Sequence, residues 1–243
     1  MRDLRVLPSA LDVAAGAAEL VARIAAEATA DGRFTIALSG GSTPRALYEL
    51  LASPDQAGRV SWERWHVFWG DERLVPPDDP MSNYRMAKEA LLGRVPIPAE
   101  QLHRIRGEAD PELAASEYEE LMRETFDPGV PAFDLILLGL GDDGHTASLF
   151  PGTEALNERR RLVAANRVPQ LDTTRITFTL PLINAARHIV FIVAGGSKAA
   201  ALRSVLEPAR DGPPPPAASV MPERGDLCWI ADSDAVASLH RTA

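Results

Sequence analysis

The alternation of short apolar runs with helical stretches constrains the fold of this chain more than any other feature. Phe34-Thr-Ile-Ala-Leu38, Trp65-His-Val-Phe-Trp69, residues 133–138, residues 175–180, His188-Ile-Val-Phe-Ile-Val193 and Leu227-Cys-Trp-Ile230 have the length and the β-branched or aromatic content of strands. Between them, 9–30, 44–52, 82–92, 110–124 and 197–206 carry helical periodicity. The strand runs are mostly continuously apolar, as expected of strands covered on both faces. Joined by right-handed crossovers, this alternation predicts an α/β fold with a mostly parallel, doubly wound sheet. In such sheets ligands sit beyond the carboxyl ends of the strands, so the strand-to-helix turns are where chemistry is expected.

Composition sets outer bounds. With 243 residues, 46% of them hydrophobic, the chain can bury one sizeable core, and residues 1–243 read as a single domain. The proline-rich stretch 208–222 reads as a loop before the last strand, because only about 20 residues follow it, too few for a further domain. A formal net charge of -9 argues against nucleic acid or an anionic membrane as partner, while leaving a small anionic ligand open. No run approaches the ~18 apolar residues of a membrane span. The stretch from Ser9 to Ile24 mixes acids with apolar residues, and Ser9 and Asp12 stand at capping-box spacing, so it reads as an amphipathic helix and not a signal peptide. The single cysteine, Cys228, allows no intrachain disulfide and reads as a buried strand residue. A cytoplasmic monomer is the expected state.

Two turns share one plan. Ser39-Gly-Gly-Ser-Thr-Pro44 and Ala194-Gly-Gly-Ser-Lys198 each follow an apolar strand and precede a helix. Paired glycines let backbone approach a ligand, and the following helix start offers unpaired N–H groups, so both read as anion cradles. Thr43 is the expected N-cap of the first helix, with Pro44 at its first position. Lys198 is one of only two lysines beside 23 arginines, which suggests that a compact point charge is wanted there. A third turn, Trp69-Gly-Asp-Glu-Arg73, clusters Asp71, Glu72 and Arg73 at the sheet edge, and Ser82 or Asn83 can cap the next helix or meet a polar ligand.

The fourth turn is Gly139-Leu-Gly-Asp-Asp-Gly-His145. Its glycines satisfy G-x-G-x-x-G, yet Asp142 and Asp143 would set negative charge against a pyrophosphate, and Pro151 follows too soon for a full helix. What remains is His145 beside two carboxylates: a side chain suited to acid–base work near neutral pH, with a neighbour able to fix its tautomer. The other histidines are scattered without metal-ligand spacing, and neither Ser42 nor Ser148 sits in G-x-S-x-G, so neither a metal nor a serine nucleophile is expected.

These blocks, together with Ser82-Asn-Tyr84, Thr146-Ala-Ser-Leu-Phe-Pro151 and Pro216-Ala-Ala-Ser219, resemble the glucosamine-6-phosphate isomerase/6-phosphogluconolactonase family, on its lactonase side, in the family's order and over nearly the whole chain. The resemblance implies a three-layer, sugar-phosphate isomerase-like sheet. It implies hydrolysis of 6-phospho-D-glucono-1,5-lactone to 6-phosphogluconate in the pentose phosphate pathway, with a phosphorylated sugar lactone as substrate and neither metal nor organic cofactor. Carried over, His145, Asp143 and Asp71 form the catalytic set, and Gly40, Gly41, Ser42, Thr43, Arg73, Asn83, Arg175 and Lys198 the substrate-binding set. Two alternatives stay open. One is a glucosamine-6-phosphate isomerase/deaminase, although Thr146-Ala-Ser-Leu-Phe-Pro151 lacks the further acid that family carries after its histidine. The other is a sugar-phosphate sensor without catalysis, although only about eight residues precede the first helix.

Overall fold

The structure is a computed structural model and describes residues 3–30, 32–126, 129–208 and 212–240. Its strands are β1 (Asp3–Leu7), β2 (Phe34–Leu38), β3 (Trp65–Trp69), β4 (Asp71–Arg73), β5 (Leu135–Leu138), β6 (Val163–Val168), β7 (Thr173–Phe178), β8 (His188–Val193) and β9 (Asp226–Asp232). Its α-helices are α1 (Ala10–Ala30), α2 (Ser42–Leu51), α3 (Pro54–Ala57), α4 (Asn83–Ala87), α5 (Pro111–Thr125), α6 (Leu180–Asn184) and α7 (Ala199–Leu206). The expected capping of α1 is present: Asp12 N–H and the Ser9 hydroxyl meet at 3.3 Å, and that hydroxyl donates to the Asp12 carboxylate at 2.6 Å.

Six strands form one sheet in the order β1-β9-β8-β5-β2-β3, every pairing parallel. Parallel strands need covered faces, and β2 and β5 are buried at every residue. The chain steps one way from β2 to β3 and the other way from β5 to β8 and β9, so the order reverses between β2 and β5. Right-handed crossovers therefore place the helices of the two halves on opposite faces, with α1 and α2 touching each other on one. At the strand starts, β2 and β5 are tied by the buried Asp134 carboxylate, which accepts from Thr35 N–H at 2.8 Å and from its hydroxyl at 2.7 Å. At the carboxyl ends the connections diverge and a crevice opens.

Three sequence expectations need correction. Residues 175–180 do not join the parallel sheet: β7 pairs antiparallel with β4 and β6 in a separate three-stranded sheet. The connection from β6 to β7 is a short turn through Pro169–Leu171, which cannot hold the crossover that a parallel neighbour needs. The strand ends at Phe178, and Leu180 opens α6. Helix 82–92 is α4 running into a π-helical turn at Lys88–Leu92. Finally, α2 starts at Ser42, so its N-cap is Gly41 at φ 111°, a conformation that favours glycine, and Thr43 is not the cap. Pro44 falls within the first turn, where its missing N–H is still one that has no intrahelical partner.

Of the proline-rich stretch 208–222, residues 209–211 lie outside the described residues. In the remainder Pro216, Ala217, Ala218 and Val220 are buried, and Ala217 N–H donates to Gly144 O at 3.0 Å, linking this segment to the turn after β5. Among the described residues no helix is long and apolar enough to cross a membrane.

Candidate active site

Loops from the ends of β2, β3, β5 and β8, with β7 from the small sheet, enclose a cavity of about 330 Å³ at the point where the strand order reverses. Gly40, Gly41, Asp71, Arg73, Asn83, His145, Arg175 and Lys198 all line it. Asp143 lies behind His145. Ser42 and Thr43 are not on the wall; they begin α2 immediately behind Gly41.

His145 is held from two sides. Its Nδ1 is 2.5 Å from Asp143 Oδ1, and the same oxygen accepts the His145 backbone N–H at 3.0 Å. Burial alone would raise the Asp143 pKa, but the bonds from His145 hold it below the ordinary value, so it stays a carboxylate. A carboxylate only accepts; Nδ1 therefore carries the hydrogen and the Nε2 lone pair is left for proton transfer. The ring stacks on Phe150, centroids 4.0 Å apart at 25°. Gly141 makes room for this ring: a Cβ there would sit 2.0 Å from His145 Nδ1.

Asp71 is buried, and its carboxylate accepts from the Ser148 hydroxyl at 2.6 Å and from Asn83 Nδ2 at 3.4 Å. Asn83 Nδ2 also donates to Asp71 O at 2.9 Å. Ser148 is anchored to the small sheet, where its N–H donates to Thr177 Oγ1 at 3.1 Å and its carbonyl accepts from Asn166 at 2.7 Å. Asp71 thus joins the loops after β3 and β5.

The neighbouring Glu72 is a clasp. Its buried carboxylate accepts from Arg73 N–H at 2.9 Å, the Ser82 hydroxyl at 3.0 Å, Asn83 N–H at 2.7 Å and Tyr84 N–H at 2.9 Å. Ser82 is also the N-cap of α4. This folds residues 73–82 into a closed loop and brings Asn83 so near Gly40 that a Cβ on Gly40 would lie 2.0 Å from Asn83 Oδ1.

Cations line the remaining wall. Arg73 and Arg175 are register partners across β4 and β7, and Arg73 also donates to Met81 O. Burial, and then the charge of Arg73, push the Arg175 pKa down from the usual guanidinium value. Two guanidinium groups on one wall are best relieved by an anion between them. Lys198 is present too, but its turn works differently from expectation. The Gly195 N–H already donates to both oxygens of the buried Asp232 carboxylate, at 3.0 and 2.9 Å, and Gly195, Gly196 and Ser197 are not on the cavity wall. Only Lys198 reaches the site from there, bonded to Asp142 Oδ1 at 2.6 Å.

Sequence reasoning gave no site role to Ser39 or to Ser148, which it set aside as a nucleophile, and placed Glu72 beside Asp71 and Arg73 without a role of its own. Ser39 Oγ is buried with no hydrogen-bond partner among the described residues, and the residue lines the cavity. The Tyr48 hydroxyl fixes its backbone, accepting from Ser39 N–H at 3.0 Å and donating to Ser39 O at 2.9 Å. Position at the strand end was the available signal for Ser39 and for Glu72; nothing local marks Ser148 as a partner of Asp71. Among the described residues no group of three or more His, Cys, Asp or Glu side chains is placed to hold a metal ion.

Comparison with known proteins shows the family. The family model described as glucosamine-6-phosphate isomerases/6-phosphogluconolactonase matches residues 8–229. A 6-phosphogluconolactonase from Nostoc sp. is 44% identical over 243 residues, covering 98% of both chains, and one from Synechocystis sp. is 50% identical over 86% of both. The solved 6-phosphogluconolactonase from Trypanosoma cruzi superposes with a TM-score of 0.86 at 29% identity, over 100% of this chain and 98% of that one.

Proposed function

The chain belongs to the glucosamine-6-phosphate isomerase/6-phosphogluconolactonase family, and we propose that it hydrolyses 6-phospho-D-glucono-1,5-lactone to 6-phosphogluconate, the lactone-opening step of the pentose phosphate pathway, with His145 as its acid–base residue. The observation that carries the assignment of residues is the pairing of Asp143 with Nδ1 of a histidine whose ring lines the same cavity as Arg73, Arg175 and Lys198.

A δ-lactone is an ester, so water attacks C1 directly and no enzyme nucleophile is needed. Nε2 of His145 takes a proton from the water as it adds. The imidazolium that forms is stabilised by Asp143 and returns the proton to the ring oxygen when the C1–O5 bond breaks. The product is an open-chain acid that ionises in solution. The N–H groups at the start of α2, reached past Gly40 and Gly41, together with Arg175 and Lys198 hold the phosphate, so the far end of the substrate is anchored while C1 faces His145. Arg73 or loop N–H groups meet the oxyanion that develops at C1. Asp71 keeps Ser148 and Asn83 in place beside the sugar hydroxyls, and its part in catalysis is this positioning.

The test is the rate of lactone disappearance with purified protein, measured against the spontaneous reaction in buffer. Replacing His145 with Ala should lower kcat on the order of 10²–10⁴-fold, with substrate affinity largely kept. Wild-type protein no faster than buffer would refute the activity; an active His145→Ala variant would refute the assignment of the base.

A further inference from the structure

The turn after β5 carries two adjacent carboxylates, and they hold two different side chains of the cavity wall. Asp143 holds the His145 ring, while Asp142 Oδ1 lies 2.6 Å from Lys198 Nζ, 56 positions later in the chain. The Asp142 side chain is 74% exposed against 27% for Lys198. No other partner holds the Asp142 carboxylate among the described residues, so the pair is not part of a network that the fold needs. The residues just before Lys198 show the same substitution in a buried setting: Asp232 occupies the Gly195 N–H that a ligand anion could otherwise use. Two anion-suited groups of this turn, the Gly195 N–H and the Lys198 ammonium, are thus each matched by a carboxylate of the chain itself.

We propose that Asp142 is an internal competitor for the phosphate at Lys198 and thereby a determinant of how tightly, and how selectively, phosphorylated ligands bind. This rests on the reading that Lys198 meets the substrate phosphate. A phosphate monoester carries about −1.5 to −2 charge near pH 7 and displaces a single exposed carboxylate from the ammonium. A sugar acid or lactone without phosphate has nothing to exchange for Asp142 and leaves the pair intact.

The experiment measures equilibrium binding of 6-phosphogluconate, inorganic phosphate and gluconate to the wild-type chain and to Asp142→Asn, Asp142→Ala and Lys198→Ala. Exposed ion pairs are weak, so both Asp142 variants should bind 6-phosphogluconate and phosphate about two- to fivefold tighter, with gluconate unchanged. KM for the lactone should fall by a similar factor without a rise in kcat. Unchanged or weaker phosphate binding in both Asp142 variants, with Lys198→Ala binding weakly, overturns the proposal alone and makes Asp142 an orienting partner of Lys198. Unchanged phosphate binding in Lys198→Ala removes Lys198 from the phosphate site and overturns the proposal together with the reading beneath it.

Discussion

Gly141→Ala should cripple the reaction without unfolding the protein. Ala Cβ would stand 2.0 Å from Nδ1 and 2.2 Å from Cε1 of His145, whereas ordinary contact begins at 3.4 Å, so the ring must retreat by about 1.4 Å. The Nδ1–Asp143 bond is 2.5 Å long, and a retreat of that size takes it beyond hydrogen-bond range. Stacking on Phe150 at 4.0 Å restricts the direction of escape. Loss of a fixed tautomer and of ring position is worth about 10²-fold per ångström of misplacement, so kcat should fall 10²-fold or more, towards the His145→Ala value. The phosphate is held by Arg175, Lys198 and the start of α2, none of which the new Cβ meets, so KM should change less than kcat. No positive φ is required at Gly141, so the backbone accepts alanine and the unfolding free energy should stay within about 1 kcal/mol. The assay is steady-state lactone hydrolysis corrected for the buffer rate, paired with urea unfolding. A folded Gly141→Ala enzyme with kcat within threefold of wild type would show that the Asp143–His145 geometry does not matter to turnover.

Gly144→Ala tests the same turn from its outer side, where φ is +79° and a Cβ would meet Pro215 Cβ at 2.5 Å; the cost should appear as about 1–2 kcal/mol of stability in urea, and an unchanged midpoint would contradict it. Glu72→Gln turns an NH₂ towards a ring of donors and should cost about 1–3 kcal/mol, with KM rising as Asn83 loosens; wild-type stability would remove Glu72 from its role as clasp. His103, whose Nε2 is 3.2 Å from His66 Nδ1, has its pKa lowered to about 4 by burial and then by His66 and Arg33. The unfolded chain binds the proton near pH 6.5 and the folded one only near 4, so stability is complete above 6.5 and is lost as pH falls between them. Discounted for partial exposure, the loss is about 1–2 kcal/mol, and His103→Asn should flatten the pH 7 to 4.5 difference in denaturation midpoint. Activity should survive prolonged treatment with a chelator; loss restored by added metal would contradict the metal-free reading.

The inner strands of the parallel sheet were legible because they must be apolar on both faces, and a run such as Ile189–Val193 states that directly; the edge strand β1, Asp-Leu-Arg-Val-Leu and largely exposed, carried no such signal and was not expected. The small antiparallel sheet was not. β4 is Asp-Glu-Arg, with no apolar signature, and it becomes a strand only because β7 lies beside it. Strand propensity at 175–178 was right in kind, but period says nothing of direction; the short turn before it decides that. The glycine turns show the limit of local pattern more sharply. Ser39-Gly-Gly and Ala194-Gly-Gly read alike, yet the second has its amide taken by Asp232, 37 positions away. His145, by contrast, was legible together with its partner, since Asp143 is two residues off and the contact is local. Ser148 and Asp71 are 77 positions apart, and a pair of that kind exists only once both loops meet at the crevice.

The strand order also governs when the molecule can be completed as it is made. Among the described residues β1 pairs only with β9, so this strand has no strand beside it until residues 226–232 are synthesised. At roughly 5–20 residues per second that wait is on the order of tens of seconds. In the interval β8, β5, β2 and β3 can already lie side by side, and they carry the turns that hold Gly40, Asp71, His145 and Lys198. The crevice can therefore take shape on a nascent chain whose outer edge is still open, and that edge is closed when β9 slides between β8 and β1.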